Sequence, residues 1–300
     1  MPKLTVINYH YIAESLEQSY GNCLLVDEFE VQLKYLRDNF KIISANQLTE
    51  LGESNYCLLT FDDSLKDHFN NVLPLFRKYG LNGFFSIITN TLEGRKINPT
   101  HKVHILFKNL AAKEFAGLIN KSLKENFSHD YRKYLIDDKE KLDKRYVWDD
   151  SLTANIKYML AVMPFEMKEM ILDNLFKECH INESEIFDKY YLNEDEIKAL
   201  IAYKNDIGSH GHNHLRLSKL TKEDQGFEIK ESKRILEEKF SIKISGFSYP
   251  FGDYNQQTIE ILRQAGYKFG ISTIPKVNEG IENVYQIYRI DNKTFFKDKL

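Results

Sequence analysis

Short apolar runs alternate with helix-periodic stretches twice along this chain, and a long helix-only stretch separates the two series. Leu4 to Tyr9 reads as a first strand. Phe29, Leu33, Leu36 and Phe40 follow at helical spacing, behind an Asp27-x-x-Glu30 capping-box pattern. Lys41 to Ser44 is a short strand and Gln47 to Leu51 a short helix. Cys57 to Phe61 is a fully buried strand; a helix carrying Phe69, Val72, Leu73 and Phe76 follows and stops at Gly80. Gly83 to Ile88 closes the first series. In the second, Asn193 caps a helix with Glu196 at the box position, and Asp206 to Ser209 is a strand. Thr221 caps a long helix holding Phe227, Ile235, Leu236 and Phe240. Ile244 to Tyr249 is a strand, Thr258 to Ala265 a helix before Gly266, and Tyr267 to Thr273 and Val284 to Ile290 the last strands. Seven or eight strands, most followed by a helix, predict an α/β fold: one distorted (β/α) barrel of about seven strands over residues 1–300.

The stretch between the series, 92–190, is charged and helical in period, and reads as an insertion within the barrel. Leu106, Leu110, Phe115, Leu118 and Ile119 form one expected apolar face; Met159, Met163, Met167, Met170 and Leu172 form another, read as packing. Trp148, His101, His104 and His129 show no ligand spacing, and the mixed-charge run Asp137–Arg145 reads as a solvated helix face.

Composition narrows the function classes. Net charge is −3, which gives no footprint for nucleic acid. Cys23, Cys57 and Cys179 are scattered, so neither a disulfide framework nor a thiolate metal site is expected. No run approaches the roughly 20 apolar residues of a membrane span. The start, Met1-Pro2-Lys3-Leu4, carries no apolar leader pattern, and a cytoplasmic location is the expectation.

In such barrels chemistry collects where strands end. The Cys57–Phe61 run ends on Asp62-Asp63-Ser64. A carboxylate against a core costs several kcal/mol unless paired or bound to metal, although Asp63 or Ser64 also suits a helix cap. Asp206–Ser209 leads into His210-Gly211-His212-Asn213-His214, three of the nine histidines within five residues. On a helix, i,i+4 spacing puts His210 and His214 on one face and His212 elsewhere. One Asp and two His suffice for a catalytic divalent metal with a position left open. Tyr9-His10, Tyr249-Pro250-Phe251-Gly252 and Arg289-Ile290-Asp291 mark further strand ends.

These motifs resemble the polysaccharide deacetylases, the group with NodB homology. Thr60-Phe61-Asp62-Asp63 resembles their first motif, His210 to His214 their His-Ser/Thr-x-x-His element with Gly211 in the Ser/Thr position, and Tyr249-Pro250-Phe251-Gly252 their third. The resemblance covers about 1–90 and 190–295. It implies Asp62 as general base, with Asp63, His210 and His214 holding a divalent metal. Zinc suits that set, as do cobalt, nickel, iron or manganese. It implies oxyanion binding by the Phe251 N–H. The rings of Tyr249 and Phe251, on either side of Pro250, are expected either to contact the sugar or to fill the core. Two positions depart from the pattern. Ser248 stands where the third motif often has an Arg, and the C-terminal Leu-x-x-His is replaced by Tyr288-Arg289-Ile290-Asp291. Arg289 is therefore expected to replace the missing Arg near Asp62, and His10 to protonate the leaving amine. The function implied is metal-dependent removal of an N-acyl group, acetyl foremost, from an amino sugar or glycan precursor, with a cation-activated water as nucleophile. The alternatives are a non-catalytic carbohydrate-binding protein on the same fold, or an amidase or deformylase acting on another C–N bond.

Overall fold

The computed structural model describes residues 2–21, 23–48, 50–127, 130–142 and 149–300. Trp148, His129 and the last three residues of the Asp137–Arg145 run lie outside the described residues.

The strands are buried along nearly their whole length because both faces are covered. β1 (Lys3–Tyr9) pairs in parallel with β2 (Asn55–Phe61) from Lys3↔Asn55 to Tyr9↔Phe61. β3 (Phe84–Ile87), β4 (Asp206–Ser209), β5 (Gly246–Ser248) and β6 (Phe269–Ile271) follow in that order, all parallel. β7 (Ile290–Asp291) pairs in parallel with the other edge of β1, and just before it Ile287 bridges Ile271 of β6. One segment thus touches the last strand and the first, and the sheet curls into a seven-strand barrel. Parallel pairing sends every strand's C-terminal end to the same rim.

Side-chain alternation sorts the core into two layers. From β2, Cys57, Leu59 and Phe61 pack with the surrounding helices, against Phe29, Leu33, Leu36, Val72 and Phe76. Tyr56 and Leu58 pack with Leu4, Val6, Phe84, Phe269 and Ile271 instead. Thr60 and Asp62 continue that second row, toward the barrel axis.

The helices follow the sequence pattern with shifts at their ends. Asn193 and Glu196 form the expected box, with Asn193 N donating to Glu196 Oε2 at 2.9 Å. Thr221 caps the long helix Lys222–Phe240, but its Phe227 is 54% exposed and not in the core as expected. The first helix, Val26–Asn39, starts earlier than its pattern suggests: the Leu25 N–H donates to Glu28, while Glu30 pairs with Lys78. Asp63 and Ser64 cap no helix; both are left-handed, and the next helical turn, His68–Val72, follows Asp67.

By packing, the chain divides into a barrel unit, residues 1–96 with 187–300, and a second unit, residues 97–186. Within the second, helices Pro99–Asn109, Ala112–Asn126, Ser151–Val162 and Phe165–Glu178 bury Leu106, Phe115, Ile119, Ile156, Leu172 and Phe176. The buried Lys102 pairs there with Asp173 and Glu183. The Met stripe is not one face: Pro164 starts a new helix after the buried Met163, and Met170 is 44% exposed. The charged stretch 137–142 is not helical.

Candidate metal centre

Asp62 and Asp63 are neighbours on an extended strand, so regular geometry would point them to opposite faces. Left-handed backbone at Asp63 and Ser64, φ 77° and 58°, breaks that alternation. Asp62 keeps the barrel-facing direction of Thr60, and Asp63 turns back to the same rim. Leu192 N donates to the Ser64 carbonyl at 2.8 Å, and the Ser64 hydroxyl accepts from Ile88 N at 2.7 Å. These bonds hold a turn that costs on the order of 1–3 kcal/mol per residue.

The histidines arrive from β4 on a loop, not on a helix. The i,i+4 argument therefore does not explain their meeting. Gly211 at φ 77° and His214 at φ 57° reverse the chain, and the rings of His210 and His214 come together with centroids 4.8 Å apart. His210 Nε2 lies 3.4 Å and His214 Nε2 3.5 Å from Asp63 Oδ1. All three residues are buried, and their ligand atoms lie within 4.8 Å of one another; they form the one such group among the described residues. The donor set fits a divalent cation. His210 Nδ1 donates to the Ser248 carbonyl at 2.8 Å, which fixes the tautomer and leaves Nε2 as a lone-pair donor toward Asp63. His212 faces elsewhere, its Nδ1 3.0 Å from the Thr89 hydroxyl and its ring edge-on to Phe227.

Asp62 sits beside this trio, 3.9 Å from His210 Nε2. Arg289 Nη1 is 2.7 Å from Asp62 Oδ2, with both side chains almost wholly buried, and the Ser248 hydroxyl donates to the same oxygen at 3.2 Å. Burial pushes the Asp62 carboxyl up, but Arg289, then His210 and His10, bring it down to about 2. Asp62 is therefore ionised, and its Oδ1 has no hydrogen-bond partner among the described residues. Arg289 is 2% exposed and directed at Asp62, so it does not itself present a surface to a substrate.

His10 Nε2 lies 3.9 Å from Asp63 Oδ2, and the side chain is 39% exposed at the rim. His68 holds the His10 backbone, donating from Nε2 to its carbonyl at 3.0 Å; burial keeps His68 neutral by lowering it to about 4.

The third motif divides between two environments. Tyr249 is fully buried, stacks on Tyr254 at 4.2 Å, and donates to the Tyr285 carbonyl at 2.9 Å. Its ring belongs to the core and offers no face to a sugar, because its strand parity points it to the helix layer. Pro250 is buried and opens the turn that follows. Phe251, left-handed at φ 58°, is 40% exposed, with its ring 4.5 Å from that of His214 and Arg216 stacked over it at 4.4 Å.

Residue-by-residue reading missed Glu228, a buried carboxylate on the long helix that binds the histidine loop. Its only trace was its place on the helix face that also carries Ile229, Ser232, Ile235 and Leu236.

A polysaccharide deacetylase family model matches residues 170–270, which include both histidines and Tyr249 to Gly252. That stretch of the chain is therefore similar to a polysaccharide deacetylase domain. YxkH of Bacillus subtilis (strain 168), whose name assigns it provisionally to the polysaccharide deacetylases, is 30% identical over 102 residues. Those residues cover 34% of this chain and only 37% of that protein. Among solved structures, the Streptococcus pyogenes deacetylase PplD in complex with acetate superposes with a TM-score of 0.58 at 19% identity, covering 96% of this chain and 92% of that one. IcaB from Ammonifex degensii gives 0.61 at 15% identity, covering 98% and 93%. At these identities the deacetylase structures share the barrel fold with this chain.

Proposed function

We propose that this protein is a metal-dependent hydrolase that removes an N-acyl group, acetyl foremost, from an amino sugar within a glycan or glycan precursor. One observation carries the reading: Asp63 Oδ1 lies 3.4 and 3.5 Å from the Nε2 atoms of two buried imidazoles, beside an ionised Asp62.

A divalent cation held by Asp63, His210 and His214 supplies the Lewis acidity that acidifies water and polarises an acyl carbonyl. Zinc suits one carboxylate and two imidazoles, and geometry and supply decide among zinc, cobalt, nickel, iron and manganese. Asp62 takes the proton of the attacking water on its unpartnered Oδ1. Arg289 and the Ser248 hydroxyl hold Asp62 Oδ2, so the carboxylate cannot rotate away from its task. His10, exposed at the rim on the Asp63 side, is placed to hand a proton to the departing amine. Phe251 and the stacked Arg216 form an amphipathic platform beside His214 for the sugar.

The test is amine release from N-acetylglucosamine oligomers by chelator-treated protein, before and after adding back zinc or cobalt. Metal-dependent release is expected. Protein that binds no divalent ion and releases no amine from N-acetylated or N-formylated sugars would overturn the reading. Release from non-sugar amides alone would move it to an amidase.

A further inference from the structure

We propose that Glu228 is a positioning residue of the metal centre: from the long helix it holds the 210–214 loop in the shape that turns both imidazoles onto Asp63. This rests on the metal reading above.

The loop between the two histidines has no helix or strand to pair its backbone. Buried N–H groups in such a loop need an acceptor within the protein. Glu228 is that acceptor. Its Oε2 takes the His212 N–H at 3.0 Å and the Asn213 N–H at 2.8 Å, and its Oε1 takes Asn213 Nδ2 at 2.7 Å. The loop's acceptors are met from the opposite side. Thr89 N donates to the Gly211 carbonyl at 3.3 Å, Asn90 N to the His212 carbonyl at 3.0 Å, and Asn90 Nδ2 to Asn213 Oδ1 at 2.9 Å. The loop is thus held between a carboxylate on one flank and donors on the other.

Glu228 is 2% exposed. It accepts from three N–H groups, and no Lys or Arg pairs with it among the described residues. Three hydrogen bonds onto one side chain suit a loop that must keep two left-handed residues. Gly211 completes the fit. It stands where the related motif carries Ser or Thr, and a Cβ built on it would lie 3.2 Å from Glu228 Oε2. The carboxylate therefore occupies the space beside residue 211 and supports the loop from there.

The experiment measures zinc affinity by chelator competition and the visible absorption of the cobalt-substituted protein. It compares wild type, Glu228→Ala, Glu228→Gln and Gln225→Ala. Gln225 is buried on the same helix but bonds to Leu220 and Gln257, away from the loop. Glu228→Ala is expected to weaken zinc binding about tenfold to hundredfold and to change the cobalt bands. Glu228→Gln keeps one oxygen for the two backbone N–H groups and falls between, with a loss of at least about threefold. Gln225→Ala lowers the unfolding temperature and leaves zinc affinity within about twofold. Wild-type affinity in Glu228→Ala, or an equal loss in Gln225→Ala, overturns the positioning role. If Glu228→Ala does not fold, Glu228→Gln decides, and affinity within about twofold of wild type overturns it. Wild-type protein that binds no divalent cation sinks the metal reading itself, and the positioning role with it.

Discussion

Asp62 carries two opposed demands: it must be buried beside the trio and yet stay ionised. Arg289 meets the second demand from just before the last strand, while Ser248 supplies only a hydroxyl. The ion pair is local in space and remote in sequence, joining residues on the second strand's end and the last strand's approach. Removing one partner of a buried pair leaves an uncompensated charge. Arg289→Met is therefore expected to destabilise the fold by about 3–5 kcal/mol in urea unfolding. An effect below about 1 kcal/mol would show that water reaches Asp62. Asp62→Asn keeps the shape and removes the base, so kcat should fall by about 10²–10⁴ while zinc affinity stays close to wild type. Zinc affinity lost in parallel with activity would instead make Asp62 a ligand.

Among the elements, one tight approach lies inside the barrel wall. Gly208 in β4 lies under the Phe84 ring, and a Cβ there would sit 2.0 Å from it. Gly208→Ala should cost about 1–3 kcal/mol, because the ring is ringed by close-packed neighbours and cannot move away. Unchanged stability would mean that the inner layer is loosely filled. The turn leading into His68–Val72 begins at Asp67, which burial raises to about 6, against a smaller lowering by a hydrogen bond from the Ile12 backbone. A carboxyl raised from 3.8 favours the folded state most below about pH 4, and that advantage is lost as pH rises through 6. Asp67→Asn should thus raise the unfolding temperature at pH 7 and leave it unchanged near pH 4. A gain that persists at pH 4 would assign the effect to something other than charge. The same scale shows where helical reasoning about the histidines broke down. The spacing of His210 and His214 is that of a helix, but Gly211 and His214 adopt left-handed backbone, and such backbone is invisible to periodicity.

For the molecule as a whole, the barrel unit closes on itself at the point where the second unit leaves it. Arg95 and Asp188, both in the barrel unit, pair with Nη2 2.6 Å from Oδ1. Replacing residues 98–185 by a short Gly/Ser linker should give a folded barrel that binds zinc as the full chain does, by circular dichroism and chelator competition. An unfolded product would show that the barrel unit needs the second unit to form. The alternation of strands and helices, most of the apolar core positions, and Asp63, His210 and His214 as candidate ligands were legible in the sequence, the last with the help of the motif resemblance. Period-2 and period-3.6 patterns are local, and strand-end carboxylates and clustered histidines stand out against an apolar background. The pairing of Arg289 with Asp62 was expected from the resemblance, whereas the burial of Tyr249 and the grip of Glu228 on the histidine loop were decided only by the tertiary structure. Each joins residues from different strands or helices, and the distance between such residues depends on how the sheet curls, which no local pattern encodes.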